Sequence, residues 1–239
     1  MRSIASIFLL NGVLLILPIC LIAITLIFKY VSYKGSSYRI VSGNSFSKTI
    51  FNKGNYGEFL TYLQLEKLDG HHKLMTNLYI PKENGETTEI DLVMFSESGI
   101  YVFESKNYSG WIFGDEKNKK WTQTLQNKQK NYFYNPIWQN KGHINALKTV
   151  TGYEDEKLYK SYIIFSERCT LKKITVTSSN VKVVKRNGMI KAIKQDISSY
   201  TNMLTVEEVE QLYLKLQKYS CANEIIKSTH VSNIKSRNL

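Results

Sequence analysis

Thr88-Glu89-Ile90-Asp91-Leu92-Val93-Met94-Phe95-Ser96-Glu97-Ser98-Gly99-Ile100-Tyr101-Val102-Phe103-Glu104-Ser105-Lys106 decides the reading of the chain. Two apolar runs, 90–95 and 100–106, are rich in β-branched and aromatic residues, and the short turn 96–99 separates them, which predicts an antiparallel hairpin. Alternate side chains on a strand share a face, so Glu104 and Lys106 point the same way as Ile100 and Val102. With a symmetric turn Phe95 pairs with Ile100, and counting back sets Asp91 opposite Glu104. Opposed Cβ atoms lie about 4.5–5.5 Å apart, where like charges are destabilising. Two readings follow. In one, Glu-Ser-Lys is a solvated strand end and Asp91 caps a turn. In the other, a hard divalent cation bound through carboxylate oxygens compensates the pair, with Lys106 holding or deprotonating a water beside it.

Working outward, a helix is expected from about Asn55 to Leu68, with Phe59, Leu60, Leu63 and Leu68 at helical spacing and Asp69-Gly70 closing it. Leu74 to Ile80 reads as a strand ended by Pro81 and an Asn84-Gly85 turn. Trp111-Ile112-Phe113 and Trp121-Thr122-Gln123 suggest a second hairpin around 115–120. Pro136 opens a helix running through Leu147. Strands are expected at Tyr162–Phe165 and Val181–Val184, and a capping box at Thr205–Glu208 starts an amphipathic helix. The order describes an α/β domain around a mixed sheet.

The hairpin belongs to a wider string: Gly57-Glu58 on the first helix, Thr88-Glu89-Ile90-Asp91, Gly99 to Lys106 followed by Asn107-Tyr108-Ser109-Gly110, and Asn135-Pro136 followed by Gln139. In order and spacing these motifs resemble the NERD (nuclease-related) domain across about residues 52–165. Asp91 with Glu104-Ser105-Lys106 resembles the D…(D/E)-x-K motif of the restriction-endonuclease-like nucleases. The resemblance implies a restriction-endonuclease-like mixed sheet flanked by helices and a phosphodiesterase dependent on Mg²⁺, or on Mn²⁺ in its place. Asp91, Glu104 and Glu58 would bind the metal, Lys106 would position or activate the attacking water, and Gln139 would support the site from the second helix. The alternative is a catalytically inactive module of the same fold that binds nucleic acid or a protein partner.

Composition bounds the partners. The chain has 239 residues with 32 Lys plus Arg against 20 Asp plus Glu, a net charge of +12. Setting aside Arg2 and Lys29 leaves 30 basic residues against 20 acidic ones, so the excess lies in the domain and favours an anionic partner. Nucleic acid, DNA ahead of RNA, is the expected partner. The basic and aromatic stretch Lys117–Tyr134 is a candidate footprint through Lys117, Lys119, Lys120, Trp121, Lys128 and Lys130, with either phosphate neutralisation and stacking or a plain solvated face as its role. His143, one helical turn from Gln139, is a candidate phosphate contact. Three cysteines without C-x-x-C spacing exclude a disulfide framework or structural zinc as organising principle.

Residues 4–28 carry no charge. About 20 apolar residues cross a bilayer, and a signal-peptide core is shorter, about 7–15 residues, and ends in a small-x-small site missing here. An uncleaved transmembrane anchor is expected over 1–29. Lys29, Lys34 and Arg39 after the span predict a single-pass protein in the cell membrane with its C-terminal domain in the cytoplasm. The remainder divides into a linker over 30–51, the nuclease-like core over 52–165, a completing strand and helix over 166–220, and a flexible basic tail over 221–239.

Overall fold

The computed structural model describes residues 4–82, 85–200 and 203–220, with side chains from residue 16 onward. Asn84 of the expected turn, Cys221 and the tail 221–239 lie outside the described residues.

The chain begins with helix α1 (Ile4–Gly35), followed by α2 (Tyr38–Ser42), α3 (Phe46–Phe51) and α4 (Lys53–Leu65). Strands β1 (His72–Pro81), β2 (Thr87–Ser96) and β3 (Gly99–Lys106) come next, then β4 (Gly110–Asp115), β5 (Lys120–Thr124) and β6 (Lys130–Tyr134). Helix α5 (Pro136–Thr151) leads to β7 (Tyr159–Phe165), β8 (Cys169–Thr175) and β9 (Val181–Lys185), and α6 (Arg186–Ser199) and α7 (Val206–Leu216) complete the domain.

Two mixed sheets result, where one was expected. The first has the order β1-β2-β3-β7-β9 and the second β6-β5-β4-β8. In the first, β1-β2-β3 is an antiparallel meander with Phe95 opposite Ile100, and β3, β7 and β9 are parallel. The turn is thus symmetric as the sequence requires. Alternation along β2 and β3 sorts the core. Leu92, Met94, Tyr101 and Phe103 face the layer of α4 and α6, whereas Val93, Phe95, Ile100 and Val102 face α5 and α7.

The two sheets are joined by a bent ribbon. The parallel pair β3/β7 ends with Lys106 beside Phe165, and the parallel pair β4/β8 begins with Gly110 beside Cys169. Each chain crosses in three residues, 107–109 and 166–168. The corner is pinned where the Ser166 amide donates to the Lys106 carbonyl at 3.1 Å and the Ser166 hydroxyl to the Tyr108 carbonyl at 2.8 Å. Gly110 turns the corner with φ 76°, and a Cβ there would stand 2.4 Å from the Thr124 carbonyl oxygen. This corner makes Lys106 the last residue of β3 before the first sheet ends.

Residues 30–51, expected as a linker, fold as the end of α1 plus α2 and α3. Tyr33, Tyr38 and Ile50 are buried in the same core as Phe59 and Tyr62. The stretch Ile16–Gly35 is long and apolar enough to cross a membrane. Ile16, Leu17, Ile19, Ile22, Ile27 and Phe28 are exposed, unlike the side chains of a core helix.

Gly114 offers a test of the second sheet. A Cβ at this position would fall 2.1 Å from Trp121 Cδ2, and Trp121 is a buried rigid ring. Gly114→Ala is expected to destabilise the fold by about 1–3 kcal/mol through overpacking, lowering the thermal midpoint by several degrees. An unchanged midpoint would show that Trp121 is free to move.

Candidate active site

The site lies at the carboxyl end of β3, between α4 and α5. Local sequence explains how each contributor arrives there. The β2/β3 ladder pairs through Leu92 and Phe103. One step further, the Ser105 amide donates to Asp91 Oδ2 at 3.3 Å, so the carboxylate takes the place of a ladder bond. The alternation of β2 breaks here, since Leu92 faces α4 while both Ile90 and Val93 face α5. Between the β1/β2 pairs Thr76–Leu92 and Leu78–Ile90, Asn77 adopts φ 53°, a left-handed conformation Asn tolerates better than most residues. Asp91 therefore sits at a kink rather than on a plain pleat.

Helix α4 comes close because Gly57 has no side chain. A Cβ there would be 3.2 Å from Asn107 Cβ, just beyond the end of β3. The next residue, Glu58, is thereby carried to the carboxylates. Helix α5 is started by Asn135, whose side chain accepts from the Ile137 amide and donates to the carbonyls of Asp115, Glu116 and Asn118. Asn140 then fixes the helix on the sheet by donating to the Val102 carbonyl at 2.9 Å. Gln139 and His143 consequently face Lys106 and Glu104.

Lys106 Nζ lies 2.7 Å from Glu104 Oε1 and donates to Gln139 Oε1 at 3.0 Å. His143 Nε2 is 3.1 Å from the other oxygen, Glu104 Oε2, and its Nδ1 is 2.9 Å from the Thr88 hydroxyl. Glu104 is 2% exposed. Burial would raise its carboxyl, but the Lys106 charge and the His143 bond outweigh that and hold it below the ordinary carboxylate value. For Lys106, burial works downward, and Glu104 more than restores the ammonium, keeping it above the usual lysine value.

For the other two carboxyls the compensation, from Lys106 and the Ser105 amide at Asp91 and from Lys48 at Glu58, is outweighed. Burial, then the charges of Glu104 and Glu58, push Asp91 well above its ordinary value. Glu58 is raised to about 8 by burial and by the charges of Glu89 and Glu104, and its Oε2 has no partner among the described residues. Three carboxylates thus raise or share one another's charge in one pocket, while one lysine neutralises Glu104. An all-oxygen donor set with a buried unpartnered oxygen is the chemistry a hard divalent cation takes. Among the described residues no three His, Cys, Asp or Glu side chains are already drawn together as a metal cage.

Of the five expected residues, Glu104, Lys106 and Gln139 touch one another, while Asp91 and Glu58 are buried close enough for their charges to act on one another and on Glu104. Two expected phosphate contacts do not stand. His143 is buried against Glu104 and Thr88, which removes it from a phosphate surface and makes it a support of the carboxylate. Trp121 is 1% exposed, stacks beside Phe165 at 6.2 Å and donates to the Asp115 carbonyl, so it offers no face to a base. Lys117, Lys119, Lys120, Lys128 and Lys130 are exposed.

The sequence reading quoted Thr88 and Glu89 as part of the motif string without giving them a role, and it missed Arg186. Arg186, the first residue of α6, is almost wholly buried. Its Nε donates to Thr61 of α4 at 3.3 Å and its Nη1 to Glu167 at 2.8 Å. Thr61 in turn lies 3.4 Å from the Ser105 hydroxyl, so Arg186 ties α4 to the strand between Glu104 and Lys106. Nothing in the polar start Arg186-Asn187-Gly188 signals this.

Comparison with known proteins agrees with the motifs. Residues 53–166 match the nuclease-related domain, NERD. An uncharacterized protein of Bacillus anthracis is 35% identical over 187 residues, which cover 77% of this chain and 85% of the relative. The chain belongs to the NERD family. The small subunit of the heterodimeric restriction endonuclease R.BspD6I is a more distant likeness, with 13% identity, 76% of this chain and 95% of that chain covered, and a TM-score of 0.30. No residue role in the NERD chain rests on it.

The pocket's charge has a consequence for stability. A carboxyl whose folded pKa is raised binds its proton more tightly folded than unfolded, so its favourable contribution is present at low pH and lost as pH climbs to the folded value. For Glu58 the window runs from about 4.5 to about 8. In chelator, the full-length protein in detergent should lose stability across that range, and Glu58→Gln should reduce the slope. Denaturant melts at several pH values check this, and equal slopes in the two proteins would sink it.

Proposed function

We propose that this NERD protein is a membrane-anchored, metal-dependent nuclease that hydrolyses phosphodiester bonds of nucleic acid, with DNA favoured over RNA. The observation that carries the reading is the juxtaposition of the buried carboxyls of Asp91, Glu58 and Glu104 with Lys106 at the carboxyl end of β3, in a chain with a large basic excess.

In this reading Asp91, Glu104 and Glu58 hold Mg²⁺ or Mn²⁺. When bound, the ion supplies Lewis-acid stabilisation of phosphoryl oxygen and lowers the pKa of water. The chain's own residues do the rest. Lys106 works as an ammonium, since Glu104 keeps it charged, and donates a hydrogen bond to the attacking water or to the phosphoryl oxygen. Gln139 aims the Lys106 ammonium through its amide oxygen. His143 and Thr88 fix the second oxygen of Glu104, so the carboxylate presents a single orientation. No covalent protein nucleophile is required.

The anchor belongs to the same proposal. Tyr33, in the last turns of α1, is part of the domain core, and Lys29 lies over the Tyr56 ring at 4.6 Å. A helix so committed to the fold is better suited to stay than to be cleaved. With Lys29, Lys34 and Arg39 at its end, it spans the cell membrane once and leaves the domain in the cytoplasm.

A second reading has its own support. Both Glu104 oxygens are already taken, by Lys106 and by His143. A module that binds nucleic acid or a partner without cutting would keep the pocket closed in that way.

Full-length protein in detergent, mixed with labelled single-stranded DNA, duplex DNA and RNA, separates the two. Cutting is expected with Mg²⁺ or Mn²⁺ and not with chelator. Glu104→Ala should abolish it while leaving binding intact, and Lys106→Ala should slow it about 10²-fold or more. Binding without cutting, by protein whose circular dichroism shows it folded, would favour the inactive module.

A further inference from the structure

The second sheet has two faces of opposite character. Its inner face, with Ile112, Trp121, Phe133 and Cys169, packs against Ile163 and Phe165 of the first sheet and Ile137 of α5. The strand register assigns the outer face. Trp111 pairs with Thr124 and Thr124 with Lys130, Phe113 pairs with Thr122 and Thr122 with Tyr132, and Lys120 pairs with Tyr134. On that face Trp111 is 51% exposed, Tyr132 66% and Tyr134 47%. Lys172 of β8 holds its ammonium 5.2 Å from the centre of the Trp111 ring. Exposing three large rings to water on one sheet face is unfavourable unless something covers them.

Charge says what covers them. The four strands carry four lysines and one acid, Asp115 at the end of β4, whose Oδ1 already accepts from the Lys117 amide. Glu116, just beyond, has its carboxylate taken by Thr177 and Ser178. The hairpin turns add Lys117, Lys119 and Lys128, so cations surround the rings on the strands and at both ends. We infer that the outer face of the second sheet is a binding platform for single-stranded nucleic acid, with Trp111, Tyr132 and Tyr134 stacking on unpaired bases and Lys120, Lys130 and Lys172 meeting the phosphates. The inference rests on the nucleic-acid reading above and adds the strandedness of the substrate.

Duplex does not suit this face. Paired bases hide their planes, and the sheet presents no helix or protruding ribbon to enter a groove. An anionic membrane fits less well too, because α1 enters the core on the α4 side of the first sheet while the second sheet packs on the α5 side. Edge strand β6 runs directly into α5, whose Gln139 touches Lys106.

The test measures binding apart from cutting. Full-length protein in detergent and chelator is titrated with fluorescein-labelled oligothymidylate, oligouridylate and a DNA duplex, each about 20 nucleotides long to cover one site, and with vesicles of phosphatidylserine. Single strands should bind more tightly than duplex and quench the tryptophan emission. Tyr132→Ala and Trp111→Ala should each weaken single-strand binding about tenfold, the stacking contribution of one base, with thermal midpoints unchanged at these exposed positions. Trp111→Phe should retain binding and lose most of the quenching. Duplex binding as tight as single-strand binding, aromatic variants that bind like the parent, or ring-dependent binding to vesicles but not to oligonucleotides would each overturn the inference. Glu104→Ala, run alongside with Mg²⁺, keeps the two proposals apart: absence of cutting with ring-dependent binding fails the nuclease and leaves the platform, and cutting that ignores the rings does the reverse.

Discussion

A buried carboxylate dictates the arrangement of this site. An ionised Glu104 in the interior costs several kcal/mol unless its charge and both oxygens are compensated. Lys106 meets one oxygen and His143 the other, and each is held in turn, Lys106 by Gln139 and His143 by Thr88. This chain of bonds joins β2, β3 and α5, so the helix cannot slide along the sheet without exposing a charge. Asp91 and Glu58 stand in the same pocket with no equivalent cation, which is why burial raises them while Glu104 stays low. The asymmetry separates two jobs. One carboxylate is locked by protein groups, and two are left in want of positive charge.

The bent ribbon explains why the pocket opens where it does. Parallel strands β3 and β7 leave one sheet together and enter the next together, turning within three residues each. At such a corner the ladder is interrupted, and the polar groups freed there need other partners. Ser166, Tyr108 and Asn107 absorb most of them, the last two through carbonyls that accept from Ser166 and Arg168. Lys106, the last residue before the bend, turns its side chain back to Glu104 and to Gln139 of α5.

How far the sequence spoke depends on which physical signal each element used. The central hairpin was legible because a symmetric turn fixes its register from Ser96–Gly99 to Leu92–Phe103; the register brings Asp91 near Glu104, but the ladder ends one step short of that pair, and the kink that turns Asp91 to the Ser105 amide was not legible. Helix α5 was legible from Asn135-Pro136, and α7 from its capping box, in which Thr205 and Glu208 bond reciprocally. Strands β6 and β8 were not read as strands. Lys130-Asn131-Tyr132-Phe133-Tyr134 has only Phe133 as a clear inward apolar residue, and its outward rings look like a solvated face or a footprint until the partner strand is known. Trp121 was misassigned for a related reason: surrounded by polar residues, it seems exposed, yet its parity with Gln123 rather than Lys120 turns it inward. The 30–51 stretch failed on composition, because Ser, Gly and Lys outnumber the few residues, Tyr33, Tyr38 and Ile50, that carry its burial. Helix α6 begins with a buried arginine, whose tertiary partners Thr61 and Glu167 are far away in the sequence.

The distribution of charge ties the anchor to the site. Lys29, the first charge after the apolar run, stacks on Tyr56, which stands two residues before Glu58. A cytoplasmic leaflet carries negative potential that decays over about 8 Å at physiological salt, and it repels an approaching polyanion. The excess of 30 basic over 20 acidic residues outside Arg2 and Lys29 opposes that repulsion. The second sheet packs on the α5 side of the first sheet, away from the core that holds the end of α1, and the lysines of β5, β6 and β8 lie on that side.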